Sequence, residues 1–157
     1  MKKIFMIAFA ILMSCFALSG CGEKEANEIV EVFSFSGEHE LFSITNGVFV
    51  LTPTQEIFYG GKLEGELSNI TAYTMTFYVQ SGDEKFVLLS NRAKDMSGKT
   101  VNVFGEIGVV TGDVLQAAEV SDFQEDLYFE LNTTDLSEGE NTYRMKLEVT
   151  EITKTEN

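Results

Sequence analysis

The sequence predicts an all-β domain: an antiparallel β-sandwich, immunoglobulin-like in layout, over residues 29–153. Three observations predict it. Apolar residues recur at every second position in one stretch after another, which is the period of half-buried strands. The connections between those stretches are short and rich in Gly, Asn, Asp and Ser. Only one stretch, Asp113 to Val120, has much helical preference, and runs of strands with almost no helix pack as two sheets face to face. A small β-barrel is the alternative, because alternation alone does not separate a closed sheet from an open one.

Taken in order, Ile29 to Phe35 is apolar, β-branched or aromatic at most positions and ends at Ser36-Gly37. Leu41 to Thr45 and Val48 to Thr52 flank Asn46-Gly47, whose residues both accept positive φ, so a tight hairpin is expected there. Pro53 has no N–H for a ladder and closes that segment. Ile57 to Tyr59 and Lys62 to Leu67 are short strands on either side of a bend at Gly60-Gly61. Thr71 to Gln80 alternates Tyr73, Met75, Phe77 and Val79 against Thr74, Thr76, Tyr78 and Gln80. It reads as a core strand, returning through Ser81-Gly82-Asp83 into Lys85 to Ser90.

Asn91 to Lys99 reads as a loop, and Thr100 to Ile107 as a strand with Val101, Val103 and Ile107 on one face. Asp113 is placed to cap the expected helix. Asp126 to Asn132 sets Leu127, Phe129 and Leu131 against Tyr128 and Glu130, and Thr133 to Asn141 is turn-rich. The last strand places Tyr143, Met145, Leu147 and Val149 inside and Arg144, Lys146, Glu148 and Thr150 outside.

Ahead of the domain, Met1-Lys2-Lys3 is a positive start, and Ile4 to Leu18 is apolar apart from Ser14, running into Ser19, Gly20 and Cys21. This apolar run of 15 residues is shorter than the ~20 that span a bilayer core, which favours a removed secretory signal over a retained helix. Residues 1–21 resemble the signal of the bacterial lipoprotein family, and Leu18-Ser19-Gly20-Cys21 matches its lipobox residue for residue. The resemblance implies lipid on the Cys21 sulfur, cleavage of residues 1–20, and acylation of the new amino terminus in many bacteria. The alternative is an ordinary secreted protein in which Cys21 is incidental. Residues 21–28 are then a lipidated cysteine with a polar tether, and residues 154–157 a short tail. The stretches Phe35 to Glu40, Asn46-Gly47-Val48 and Glu56 to Gly61 are also similar to those of small uncharacterised lipoproteins of Gram-positive bacteria, with no assigned activity.

The expected location is therefore extracytoplasmic, anchored to the membrane through lipid on Cys21. Two or three acyl chains hold firmly, each buried CH₂ contributing about 0.8 kcal/mol. With Cys15 in the signal and Cys21 acylated, no cysteine is left for a disulfide, a nucleophile or a metal. The signal holds two lysines and no acid, so the 11 basic and 25 acidic residues of the chain become 9 and 25, a net charge of −16. Such a surface repels nucleic-acid phosphates and anionic lipid head groups, and nucleic acid is not an expected partner.

Chemistry-bearing patterns are sparse. Ala93 to Thr100 fits a loose phosphate-binding loop with Ala for the first Gly, but the mechanism needs a helix after it and Val101 to Ile107 reads as strand. His39 is the only histidine, expected in an exposed loop or at a strand end, so any relay would have it as its single base. Asp122, Glu125 and Asp126, and Asp83 with Glu84, are acidic clusters without the ligand string of a Ca²⁺ loop, which needs six to eight oxygens. Lys85, Arg92, Lys94 and Lys99 gather within 15 positions, either as a docking spot for an anionic envelope polymer or as a solvated mixed-charge stretch with almost nothing aromatic interleaved, Phe86 alone falling among them. Asn69-Ile70-Thr71 and Asn132-Thr133-Thr134 match a glycosylation pattern whose chemistry is mainly eukaryotic, and are set aside.

The expected function is a non-catalytic binding or interaction module, not an enzyme, with no cofactor and no metal, its partner an unidentified protein or envelope polymer. The alternative is a structural or accessory component of an envelope assembly. A glycosidase built on two carboxylates is the weakest reading for a small sandwich without tryptophan. An exposed patch among Phe49, Phe58, Tyr59 and Tyr78 would favour protein binding, and a groove with stacked aromatics would favour glycan.

Overall fold

The computed structural model describes residues 30–153, so the signal, Cys21 and the tether lie outside the described residues, as does the tail. Eleven strands and one helix follow in order: β1 Glu31–His39, β2 Phe42–Leu51, β3 Glu56–Tyr59, β4 Lys62–Gly65, β5 Ile70–Ser81, β6 Glu84–Lys94, β7 Gly105–Glu106, β8 Val109–Gly112, α1 Val120–Asp126, β9 Leu127–Asp135, β10 Glu140–Lys146 and β11 Glu148–Glu151. They form two antiparallel sheets. The larger runs β11-β1-β2-β3-β8, with β4 paired to β2 and β7 to β4, and the smaller runs β10-β9-β5-β6. The expected antiparallel sandwich is what the chain forms, and the sheets do not close into the alternative barrel.

The core between the sheets is aromatic. Phe33, Phe35, Phe49 and Phe58 from the larger sheet meet Phe77 and Phe129 from the smaller, all buried. The Phe35 and Phe58 rings stack at 5.0 Å, and Phe77 sits edge-on to both, at 5.9 Å from Phe35 and 5.2 Å from Phe58. Each such side chain contributes about 1.5–3 kcal/mol on burial. Phe123 of α1 closes one end, 4.6 Å from Phe49 and 5.8 Å from Phe33. That packing holds a seven-residue helix with no side-chain cap, which would not persist alone.

The hairpin expected at Asn46-Gly47 does not form. β1 turns into β2 at Glu40-Leu41, and β2 runs straight through Asn46-Gly47 as one strand. Thr45 and Asn46 there oppose the single Ser36, a bulge with Asn46 at φ 58°. Gly47 is buried because the Phe35 ring lies on it: a Cβ would come within 2.1 Å of that ring. The Gly60-Gly61 bend meets this bulge, since a Cβ on Gly61 would strike the Thr45 carbonyl at 2.3 Å. Below the bend β4 pairs β2, and above it β3 does. The next strand breaks on the same line, Gly60 N–H donating to the Gly108 carbonyl at 2.9 Å and Ile107 N–H to that of Gly61 at 3.0 Å. Three neighbouring strands thus kink side by side.

Other boundaries also move. β6 continues to Lys94 where a loop was expected, because β5 beside it is long enough to pair that far. Thr100 to Ile107 is strand only at Gly105–Glu106, and Val101 is tied instead to the Ile70 carbonyl at 2.7 Å. The helix lies at Val120–Asp126, after the stretch expected to be helical, and Asp113 does not cap it. Val114 and Leu115 are buried in a bend whose two N–H groups donate to one Glu56 carboxylate oxygen at 2.6 and 2.7 Å. The last strand is two: β10 belongs to the smaller sheet and β11 to the larger, with Leu147 crossing between them and donating to the Leu127 carbonyl at 2.9 Å.

Replacing Gly47 with Ala forces a methyl group into the Phe35 ring. Chemical denaturation is expected to show a loss of about 3 kcal/mol, the upper range for overpacking a filled core. A loss below about 1 kcal/mol would show that the contact is not a constraint.

Candidate functional site

The outer face of the smaller sheet is where the chain's scattered cations meet. Cross-strand partners share a face, so the register sets out four ranks, each read β10-β9-β5-β6. They are Glu140-Thr134-Ala72-Lys94, Thr142-Asn132-Thr74-Arg92, Arg144-Glu130-Thr76-Ser90 and Lys146-Tyr128-Tyr78-Val87. Lys85, partnered with Gln80, extends the last rank. Of the seven lysines and arginines among residues 30–153, five lie on this face, all from the two edge strands. The central strands contribute hydroxyls, two amides, one carboxylate and two aromatic rings.

At one end the rings of Tyr78 and Tyr128 stack at 5.6 Å and 17°. Tyr78 points outward as the alternation requires yet is only 1 % exposed, because cations cover it. The Lys85 ammonium sits 3.7 Å from the Tyr78 centroid, and the Arg144 guanidinium 4.4 Å from Tyr128 and 5.4 Å from Tyr78. Each such contact is worth about 0.5–1 kcal/mol near the surface. Burial pushes the Tyr78 hydroxyl above the usual phenol value, and the Arg144 charge offsets part of that rise. Two of these cations are paired, Lys85 with Glu130 at 3.3 Å and Lys146 with Asp126 at 3.1 Å.

At the other end the residues are smaller and the face opens into a trough of about 520 Å³, with Ala72, Thr74, Asn132 and Thr134 across its centre. Arg92 and Lys94 wall one side, Glu140, Asn141 and Thr142 the other. Among the described residues neither Arg92 nor Lys94 makes an ion pair, and Glu140 makes none either. Thr142 donates to the Asn132 amide oxygen at 2.6 Å, which turns the Asn132 NH₂ toward Glu130 at 3.2 Å. The trough can therefore offer two cations to an anion and a carboxylate to hydroxyl donors.

The sequence-predicted residues divide. Lys85, Arg92 and Lys94 come together on this face, while Lys99 lies in the following loop. The rings that the cations of this face rest on come from neighbouring strands, as Tyr78 and Tyr128. Arg144 and Lys146 complete the face, and the period-two pattern of the last strand had already put both outside. Phe49 and Phe58 are fully buried, and Tyr59, on the outer face of the larger sheet, donates its hydroxyl to Glu106. No exposed patch joins those residues to Tyr78.

His39 ends β1, its ring stacked on Phe42 at 4.7 Å and its Nδ1 accepting the Leu41 N–H at 3.3 Å. Among the described residues no three His, Cys, Asp or Glu side chains are grouped to hold a metal. In the stretch resembling a phosphate loop, the backbone donors already have an acceptor: Asp95 Oδ1 takes the N–H of Ser97 at 2.6 Å and of Lys99 at 3.3 Å, and the Ser97 hydroxyl at 2.6 Å. Asp135 repeats the arrangement with Ser137 and Gly139. Both carboxyls are held below the ordinary aspartate value, the serine hydroxyl being the largest cause. Family models, curated proteins and solved structures give no match to this chain.

Because both pKa values are lowered by folding, the turns keep their full hydrogen bonding at neutral pH and lose it as pH falls through the depressed values. Carboxyl ¹³C titration is expected to place Asp95 and Asp135 below an unstructured aspartate. Ser97→Ala should return Asp95 toward the ordinary value while leaving Asp135 in place; an Asp95 midpoint unmoved by that change would contradict the assignment.

Proposed function

We propose that the chain is a non-catalytic binding module of the bacterial cell envelope, held at the outer side of a membrane by lipid on Cys21 and presenting the outer face of its smaller sheet to an anionic partner. The observation that carries the binding half is the concentration of cations on that face of an otherwise acidic domain. Opposed fields of this kind orient a protein before contact and speed its encounter with a partner of opposite charge. The anchoring half rests on the Leu18-Ser19-Gly20-Cys21 sequence. Among the described residues no helix is long and apolar enough to cross a membrane. A second reading, an accessory subunit of an envelope assembly, is favoured by the apolar band of Val32, Val48, Val50, Ile57 and Val109 on the outer face of the larger sheet, where Val109 is 60 % exposed.

Two measurements test the two halves. Cys21→Ala should move the protein from the membrane fraction to the soluble one, and a variant that still sediments with membranes would defeat the lipid anchor. The full chain in nonionic detergent should be retained on dextran sulfate beads but not on dextran beads, and released as salt rises from about 0.05 to 0.5 M, where screening shortens from roughly 14 to 4 Å. Retention unchanged by the double replacement Arg92→Glu and Arg144→Glu would remove this face from the proposal.

A further inference from the structure

Resting on that reading, the geometry points to a narrower ligand: we propose that the trough bounded by Arg92, Lys94 and Glu140 is a subsite for an acidic polysaccharide, a chain carrying a carboxylate and free hydroxyls on the same sugar. The argument is the trough's two unlike walls. Arg92 and Lys94 occupy successive same-face positions of one edge strand, roughly 7 Å apart along it, and neither makes an ion pair among the described residues. A sugar carboxylate placed there meets a guanidinium fork and an ammonium. Across the trough Glu140, likewise unpaired, accepts hydrogen bonds from hydroxyls and repels any second anion.

Between the walls, Thr74 and Thr134 lie diagonally across two neighbouring strands, neither hydroxyl has a side-chain partner among the described residues, and each can donate to or accept from a sugar hydroxyl. Ala72 keeps the trough open beside them. An acidic peptide would satisfy the cationic wall and meet repulsion at Glu140, and it has no hydroxyls for the threonines. A neutral glycan would satisfy the threonines and Glu140 and leave both cations unanswered. Only a ligand with both kinds of group complements both walls. The other end of the face does not compete for the same role, because the Tyr78 ring is covered by Lys85 and Arg144 and offers no open surface for stacking.

The test is titration calorimetry of the full chain in nonionic detergent with polygalacturonate oligomers, dextran and poly-L-glutamate. Polygalacturonate is expected to bind at least about tenfold more tightly than either control. Removing the cationic wall with Arg92→Ala and Lys94→Ala should weaken it by about tenfold or more, and Thr74→Val by about fivefold, as follows from a charged and a neutral hydrogen bond respectively. Glu140→Gln should improve poly-L-glutamate binding while sparing polygalacturonate. All four positions lie on the outer face, so unchanged melting curves will show that the variants fold. Equal binding of poly-L-glutamate and polygalacturonate would overturn the glycan assignment, with retention on dextran sulfate still upholding an anion-binding face. Equal binding of dextran would overturn the role of the cations. Failure of every polyanion, dextran sulfate included, would overturn the proposed function as well.

Discussion

The fold depends on one close approach, the Phe35 ring lying on the bare Cα of Gly47. It brings a large aromatic side chain down onto the neighbouring strand at a point where a side chain of its own would project. The ring can then stack on Phe58 and present its edge face to Phe77 across the sandwich. The bulge beside Gly47, the Gly60-Gly61 bend and the break at Ile107-Gly108 all follow on one line, because each strand must copy its neighbour's kink to keep its ladder hydrogen bonds. The larger sheet is therefore folded about that line, and the helix that carries Phe123 fills the end of the space between the sheets.

The smaller sheet has only two register shifts, at Ile70/Ala72 and Phe77/Tyr78, and its four strands are mostly long. Its outer positions consequently stay in register over four ranks, long enough for charges from two edges to face each other across central strands whose one charge on that face is Glu130. The two ends of that face are then differentiated by side-chain size. Tyrosines at one end give lysine and arginine stems and head groups a surface to rest on, and those cations are held by rings and carboxylates. Alanine, threonine and asparagine at the other end leave a depression whose cations have no ion-pair partner among the described residues.

Much of this architecture is legible in the sequence, and the failures have physical causes. Period two placed Met75, Phe77 and Val79 inside, and Leu127, Phe129 and Leu131 with them, because a half-buried strand writes its burial directly into alternation. Asn46-Gly47 misled because the φ > 0 tolerance that suits a hairpin turn equally suits a bulge, and only the ring of Phe35 from another strand decides between them. The last strand read as continuous because crossing from one sheet to the other at Leu147 preserves the alternation that identifies a strand. The basic face was half visible: three of its cations are close in sequence, but Arg144, Lys146 and the tyrosines join them only through cross-strand register, which no local pattern encodes.

Charged residues on edge strands have a structural use of their own, since they deter edge-to-edge association of exposed ladders. That use can be served by either sign. On the larger sheet the edge strand β11 carries Glu148 and Glu151, in keeping with a chain of 25 acidic and 11 basic residues. Both edges of the smaller sheet carry outward-facing cations, five against the single acid Glu140, which runs against the composition of the chain. Protection of edges does not require that choice, and the pairing of Lys85 and Lys146 with Glu130 and Asp126 does not account for Arg92, Lys94 and Arg144, which have no carboxylate partner among the described residues. What the unpaired cations have in common is the face they share, and complementarity to an external anion is the property that a shared face, unlike a protected edge, can supply.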